Sequence, residues 1–115
     1  MATKTECAVR LHIEPDDNYE PERVIVYREK DLFVWQSPKG WTAGHFATGF
    51  GVSGNRVWDK KRDALTYVQR LLEYEKDGKK INWNIEFCGP DTKDKFMELN
   101  GRDFLQGAYD TCNLI

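Results

Sequence analysis

The sequence predicts an α+β fold, in which a mainly antiparallel sheet of about five strands packs against one long central helix and a C-terminal helical segment. Three observations support this prediction. The first half of the chain carries β-branched and aromatic runs with period-two alternation. An amphipathic helical stripe follows, and a further alternating run then precedes a second helical stripe.

Length and charge restrict the class of protein. A chain of 115 residues and 13.4 kDa has no room for two ordinary cores, so residues 1–115 are expected to form one domain. Hydrophobic residues make up 40% and charged residues 31%, a balance typical of soluble globular proteins. The net charge of −2 weakens any hypothesis in which the whole surface binds phosphate backbones.

The first half of the chain contains the predicted strands. Residues 5–13 alternate between apolar and polar, which predicts a half-buried strand, and a turn-rich loop follows. Residues 22–27 and 32–36 predict a hairpin, and a Ser-Pro-Lys-Gly turn leads to a fourth strand at residues 41–48. Residues 56–58 are predicted to add a short pairing segment.

The main helix is predicted over residues 60–76. Asp59 is the expected N-cap and Gly78 the expected C′ residue. Five apolar residues form its inward stripe: Ala64, Leu65, Val68, Leu71 and Leu72.

The end of the chain predicts one more strand and further helix. Residues 81–87 alternate and predict the strand, and Asp91 is the expected cap of a second helix with Phe96 and Leu99 facing inward. Residues 104–112 resume a helical stripe.

Two groups of residues suggest chemistry but have a structural interpretation. Residues 49–54 match G-x-G-x-x-G, yet no helix follows at once, so a glycine-rich turn is favoured and no cofactor is expected. His45 is predicted to be a hydrogen-bonded sheet histidine; a catalytic pair with Cys88 is the alternative. The cysteines Cys7, Cys88 and Cys112 are expected to be reduced thiols, with no zinc site and no disulfide.

Charged and aromatic clusters are the better candidates for function. Acidic residues crowd one loop: Glu14, Asp16, Asp17, Glu20 and Glu22. Exposed rings near Trp35 and Trp41 would supply an interface, although a sheet covered on both faces explains the same residues. Opposite charges on one surface suit protein partners.

The first turn of the main helix provides an alternative. Lys60, Lys61 and Arg62, together with Arg56 and the sheet aromatics, suit a small nucleic-acid-binding regulator, while plain solvation of these side chains is the competing interpretation. We find no secretory signal and no apolar run of bilayer length, so a cytoplasmic protein without a membrane partner is expected.

A resemblance adds to these predictions. Trp41, His45, Thr48 and Gly49 form W-x-x-x-H-x-x-T-G, and residues 61–68 follow as K-R-x-A-L-x-Y-V. The combination resembles small open reading frames of phages and other mobile elements, among which are anti-CRISPR and other anti-defence inhibitors. The resemblance implies stoichiometric inhibition by binding, and it transfers no site residue.

These observations predict a non-catalytic binding module that blocks a larger protein or nucleoprotein by occluding its surface. The nucleic-acid-binding regulator is the alternative function, and an enzyme with a site near His45 is the third. A homodimer is predicted if an apolar sheet face or an edge strand stays uncovered.

Overall fold

A computed structural model describes residues 3–10, 21–53, 56–76, 78–89 and 91–100. This part of the chain has an α+β architecture with a four-stranded antiparallel sheet and two helices. The class is therefore confirmed, whereas the described sheet has four strands where about five are predicted. The C-terminal stripe at residues 104–112 lies outside the described residues.

The large sheet has the order β1-β2-β3-β4, and all its neighbours are antiparallel. Its strands are β1 (Thr3–Arg10), β2 (Pro21–Glu29), β3 (Leu32–Ser37) and β4 (Gly40–His45). The remaining elements are α1 (Lys61–Glu73), β5 (Glu75–Lys76), β6 (Lys79–Lys80) and α2 (Thr92–Asn100). Strands β5 and β6 form a separate two-stranded hairpin.

The outer edge of β4 is covered by the chain that follows it. Trp41 and Trp58 exchange two backbone hydrogen bonds of 2.8 and 2.9 Å, which confirms the short pairing segment. The Val52 N–H donates to the Ala43 carbonyl at 3.0 Å. Residues 49–53 thus double back along β4 and do not lead into a helix. They lack the strand–loop–helix geometry that cradles a pyrophosphate.

The larger core lies between the sheet and α1. Leu32, Val34 and Ala43 supply the sheet side, because alternate residues of a strand face the same way. The remaining members come from α1 (Ala64, Tyr67, Val68 and Leu71), from loops (Phe50, Val52 and Trp83) and from α2 (Phe96). Most of the predicted stripe is therefore inward.

A second core lies on the opposite face of the sheet. Phe33 and Trp35 point into it, and the β1–β2 ribbon adds Cys7, Val9 and Val26. Trp35 is only 9% exposed, so the prediction that it lies on an exposed aromatic face is wrong. Both faces are covered in the described part of the chain, which removes the apolar free face as a reason for a dimer; pairing through a strand edge stays a prediction.

The ends of α1 differ from the prediction. The N-cap is Lys60 and no side chain hydrogen bonds there, so Asp59 is not the cap. The helix stops at Glu73, because the chain after Tyr74 forms the β5–β6 hairpin. Gly78, with φ 78°, serves the turn of that hairpin instead of ending the helix.

Residues 81–87 are not a strand, which corrects the prediction. Their alternation still identifies the inward side, since Trp83 is buried while Asn82 and Asn84 are exposed. Side-chain burial follows the pattern here without a pairing ladder. The Ile85 N–H instead donates to the Trp83 carbonyl at 2.9 Å.

The inward face of α2 runs along Thr92 and Phe96, which are buried, and ends at Asn100, which hydrogen bonds Asn82. Phe96 faces inward as predicted. Leu99 is 49% exposed, so its inward prediction is wrong: it lies about 100° around the helix from Asn100 and off this line.

Candidate functional site

His45 ends β4 and is completely buried. Its Nε2 lies 2.7 Å from the Trp83 carbonyl oxygen, and its Nδ1 lies 2.8 Å from the Thr48 hydroxyl. Because a carbonyl oxygen only accepts, Nε2 donates, and Nδ1 accepts from Thr48. The Phe50 N–H in turn donates to the Thr48 oxygen at 3.3 Å. The ring therefore joins β4, the turn after it and residues 81–87.

Burial lowers the pKa of His45 from its usual 6.5, and this effect exceeds the opposing influence of the Trp83 hydrogen bond and the Asp31 charge. The imidazole is thus neutral at pH 7. Both ring nitrogens take part in structural hydrogen bonds, and the predicted partner Cys88 is exposed with its thiol 3.5 Å from the Thr92 hydroxyl. This geometry supports the interpretation of a hydrogen-bonded sheet histidine.

The lowered pKa of His45 makes a prediction for pH dependence. The unfolded chain binds a proton at His45 more readily than the folded chain does. The contribution of the neutral, buried His45 to the free energy of unfolding is therefore complete above about pH 6.5 and is lost as the pH falls towards the lowered pKa. The loss is up to about 1.4 kcal/mol per pH unit. Urea unfolding between about pH 5 and 8, where carboxylates stay ionised, measures it.

The control for this experiment is the second histidine of the chain. We expect His45→Asn to remove most of the pH dependence in that window and His12→Asn to retain it. Equal pH dependence in the wild type and the His45 variant would contradict the assignment.

A surface of rings and cations forms where β2, β4 and the start of α1 meet. We define the cation–aromatic surface as Tyr27, Trp41, Arg56, Trp58 and Lys61. Tyr27 and Trp41 have centroids 5.9 Å apart. The Lys61 Nζ lies 3.4 Å from the Tyr27 centroid, and the Arg56 guanidinium carbon lies 5.4 Å from that of Trp58. Cations over ring faces are favourable contacts.

The fold explains why these side chains meet. Tyr27 pairs with Val34 and so shares the sheet face that carries α1. The Trp41–Trp58 backbone bridge places Trp58 beside Trp41 at the start of β4. Trp58 also contacts buried Tyr67, with centroids 4.9 Å apart, so its ring is held from the core side.

The charge around this surface is positive. Residues 56–63 contain the cations Arg56, Lys60, Lys61 and Arg62. The same segment has two carboxylates, Asp59 and Asp63, which leaves an excess of two positive charges against −2 for the whole chain. All six side chains are exposed except that of Lys61, which is half-buried.

The predicted pair Trp35 and Trp41 does not form one site in the structure, and of the predicted acidic residues only Glu22 lies in the described part of the chain. Glu22 is exposed in β2, while Glu14, Asp16, Asp17 and Glu20 lie outside the described residues. Trp41 is half-buried on the α1 face and Trp35 lies in the core of the opposite face, so the two do not form one aromatic patch. Reasoning from the sequence missed the specific contacts of Tyr27 and Trp58 with cations. The spacing of Arg56 and Trp58 was the available signal.

A groove of about 320 Å³ lies between the β2–β3 turn and α1. Its lining includes Glu29, Lys30, Arg70 and Glu73 and does not include His45. Two carboxylates and two cations line it, so its charges offset one another.

Metal sites and membrane-spanning helices are both absent from the described ranges. There, no group of three or more His, Cys, Asp or Glu side chains is placed to hold a metal ion. Over the same ranges, no helix combines the length and apolar character needed to cross a membrane.

Comparison with known proteins does not identify the chain. No protein-family model matches it, and no curated protein or solved structure matches it. Functional inference therefore depends on the residues and geometry described above.

Proposed function

We propose that this chain is a non-catalytic, cytoplasmic binding module that blocks a larger protein or nucleoprotein by occupying part of its surface. The observation that carries this proposal is the cation–aromatic surface, where the Trp41–Trp58 backbone bridge links the contacts of Tyr27 with Trp41 and Lys61 to the contact of Trp58 with Arg56. Tyr, Trp and Arg are the residue types that dominate binding energy at protein interfaces.

Exposed apolar side chains add to this surface. Val57, next to Trp58, is 41% exposed, and its Cβ lies beside the start of β4 at Gly40. Apolar area beside rings and cations is the composition expected of a contact region. The resemblance to anti-defence inhibitors extends the proposal to a host-defence target of the CRISPR-Cas type.

The acidic residues Glu14, Asp16, Asp17, Glu20 and Glu22 form a proposed second contact. Carboxylates at the rim of a protein interface act mainly on the rate of association, because they steer an oppositely charged partner. Replacing Asp16, Asp17 and Glu20 by Lys would then slow association, with the larger effect at low salt.

The primary test compares two charge-matched double variants. The target is captured on the immobilised chain, identified, purified and titrated against each variant. We expect Arg56→Gln with Lys61→Gln to weaken the complex about thirtyfold, because two interface contacts of about 1 kcal/mol each are lost. The control, Arg70→Gln with Lys95→Gln, removes the same charge at two exposed positions elsewhere.

The two variants separate the outcomes of this test. Equal affinity of both for the purified target would overturn the cation–aromatic surface as the contact. Turnover of the target by the chain, in place of a stoichiometric complex, would overturn the non-catalytic proposal.

A further inference from the structure

We propose that the cation–aromatic surface binds a single-stranded polynucleotide, so that the partner is contacted through an exposed nucleic-acid strand. This inference rests on the proposed function, since it uses the same surface and names the chemistry that the surface recognises. The combination of stacking rings with adjacent cations is the arrangement that single strands require.

The rings are held ready for stacking. Tyr27, Trp41 and Trp58 are half-buried and pack against the larger core, so their orientation is set before any ligand arrives. Trp58 is backed by Tyr67, and Trp41 is held by its backbone bridge to Trp58. Rings that are already ordered lose little conformational entropy when a base stacks on them.

Two cations occupy ring faces in the unbound protein. The Lys61 ammonium stands over Tyr27 and the Arg56 guanidinium over Trp58. Both side chains are long and rotatable, so a base can take the ring face while the cation moves to a neighbouring phosphate. The contacts show that each of these two ring faces is accessible to a cationic side chain of the protein itself.

Further cations flank Lys61 in the sequence. Lys60 and Arg62 are exposed, and no acidic side chain in the described part of the chain forms an ion pair with either. Asp59 and Asp63 reduce the local positive charge without cancelling it. Phosphates spaced along a strand fit this excess, whereas the negative charge of the whole chain limits binding elsewhere on its surface.

The geometry favours a single strand over a duplex. Bases in a duplex are already stacked on one another, so their faces are not accessible to Tyr27, Trp41 or Trp58. A duplex would use the cations alone. The expected order of affinity is therefore single strand above duplex of equal length.

The test is fluorescence anisotropy of the intact chain with labelled oligonucleotides of about 15 residues, oligo-dT and oligo-U, at about 50 mM salt. We expect binding of at least one of them, with weaker binding of a DNA duplex of equal length. Arg56→Gln with Lys61→Gln should lower affinity about tenfold and reduce the salt slope by about 1.4, since each phosphate contact on a single strand contributes about 0.7. The control Arg70→Gln with Lys95→Gln should bind like the wild type.

A second variant separates stacking from charge. Tyr27→Leu keeps apolar volume against the core and removes the ring, so it should lower affinity about fivefold or more without changing the salt slope. Thermal unfolding of each variant establishes that it is folded at the temperature of the titration.

The outcomes distinguish this inference from the proposed function. The inference is overturned if neither oligonucleotide binds. It is also overturned if Arg56→Gln with Lys61→Gln loses no more affinity for the oligonucleotide than the control Arg70→Gln with Lys95→Gln. If no oligonucleotide binds but Arg56→Gln with Lys61→Gln weakens the complex with a captured protein target, the proposed function stands and the contact is with protein. If that double variant weakens binding of neither the oligonucleotide nor the protein target, both proposals fail.

Discussion

Replacing Gly44 by alanine is expected to destabilise the fold by about 3 kcal/mol, at the upper end of the range for overpacked cores. A Cβ at this position would lie 2.3 Å from the Phe33 Cζ, with two further ring atoms inside 3.0 Å. Gly44 pairs with Phe33 across β3 and β4, and Phe33 is completely buried. The ring has no room to move aside without disturbing the second core, because Phe33 packs there with Trp35 and Val26.

Urea unfolding of two further variants tests this prediction for Gly44. Gly51→Ala is the matched control: the nearest atom to its Cβ is 3.8 Å away, an ordinary contact, so its stability should change by less than about 0.5 kcal/mol. Adding Phe33→Leu to Gly44→Ala shortens the clashing side chain. The double variant should lose less stability than the sum of the two single variants. Strict additivity would show that the clash is not the cause.

Leu71→Ala is expected to cost about 3 kcal/mol, because Leu71 is completely buried in the core between α1 and the sheet. The truncated side chain leaves a cavity bounded by residues from the strands and from α1. The neighbouring Leu72 is only half-buried, so Leu72→Ala should cost less than about half as much. Both substitutions replace leucine by alanine in the same helix, so the change in helix propensity is the same and the burial of the side chain is the difference between them.

The Leu71 and Leu72 variants are compared by their urea midpoints at constant m value. Equal losses for the two would contradict the assignment of Leu71, and not Leu72, to the inward stripe of α1.

Local patterns in the sequence determined the secondary-structure class and most inward positions. β-branched and aromatic runs separated by turn residues identified the hairpins of β2, β3 and β4, and the helical stripe identified Ala64, Val68 and Leu71 as core. Even residues 81–87, which form no strand, bury Trp83 on the side that alternation predicted. These patterns succeed because burial of alternate side chains depends on a nearby core and not on a pairing partner.

Only the tertiary structure decided which faces are covered and where elements end. Trp35 and Trp41 look equivalent in the sequence, but the β1–β2 ribbon buries Trp35 while Trp41 stays half-buried beside Tyr27 and Trp58. α1 stops at Glu73 because the β5–β6 hairpin follows it. The contacts of Lys61 and Arg56 with rings join segments up to 34 residues apart. Periodicity describes one element at a time, whereas such contacts depend on how the elements pack on each other.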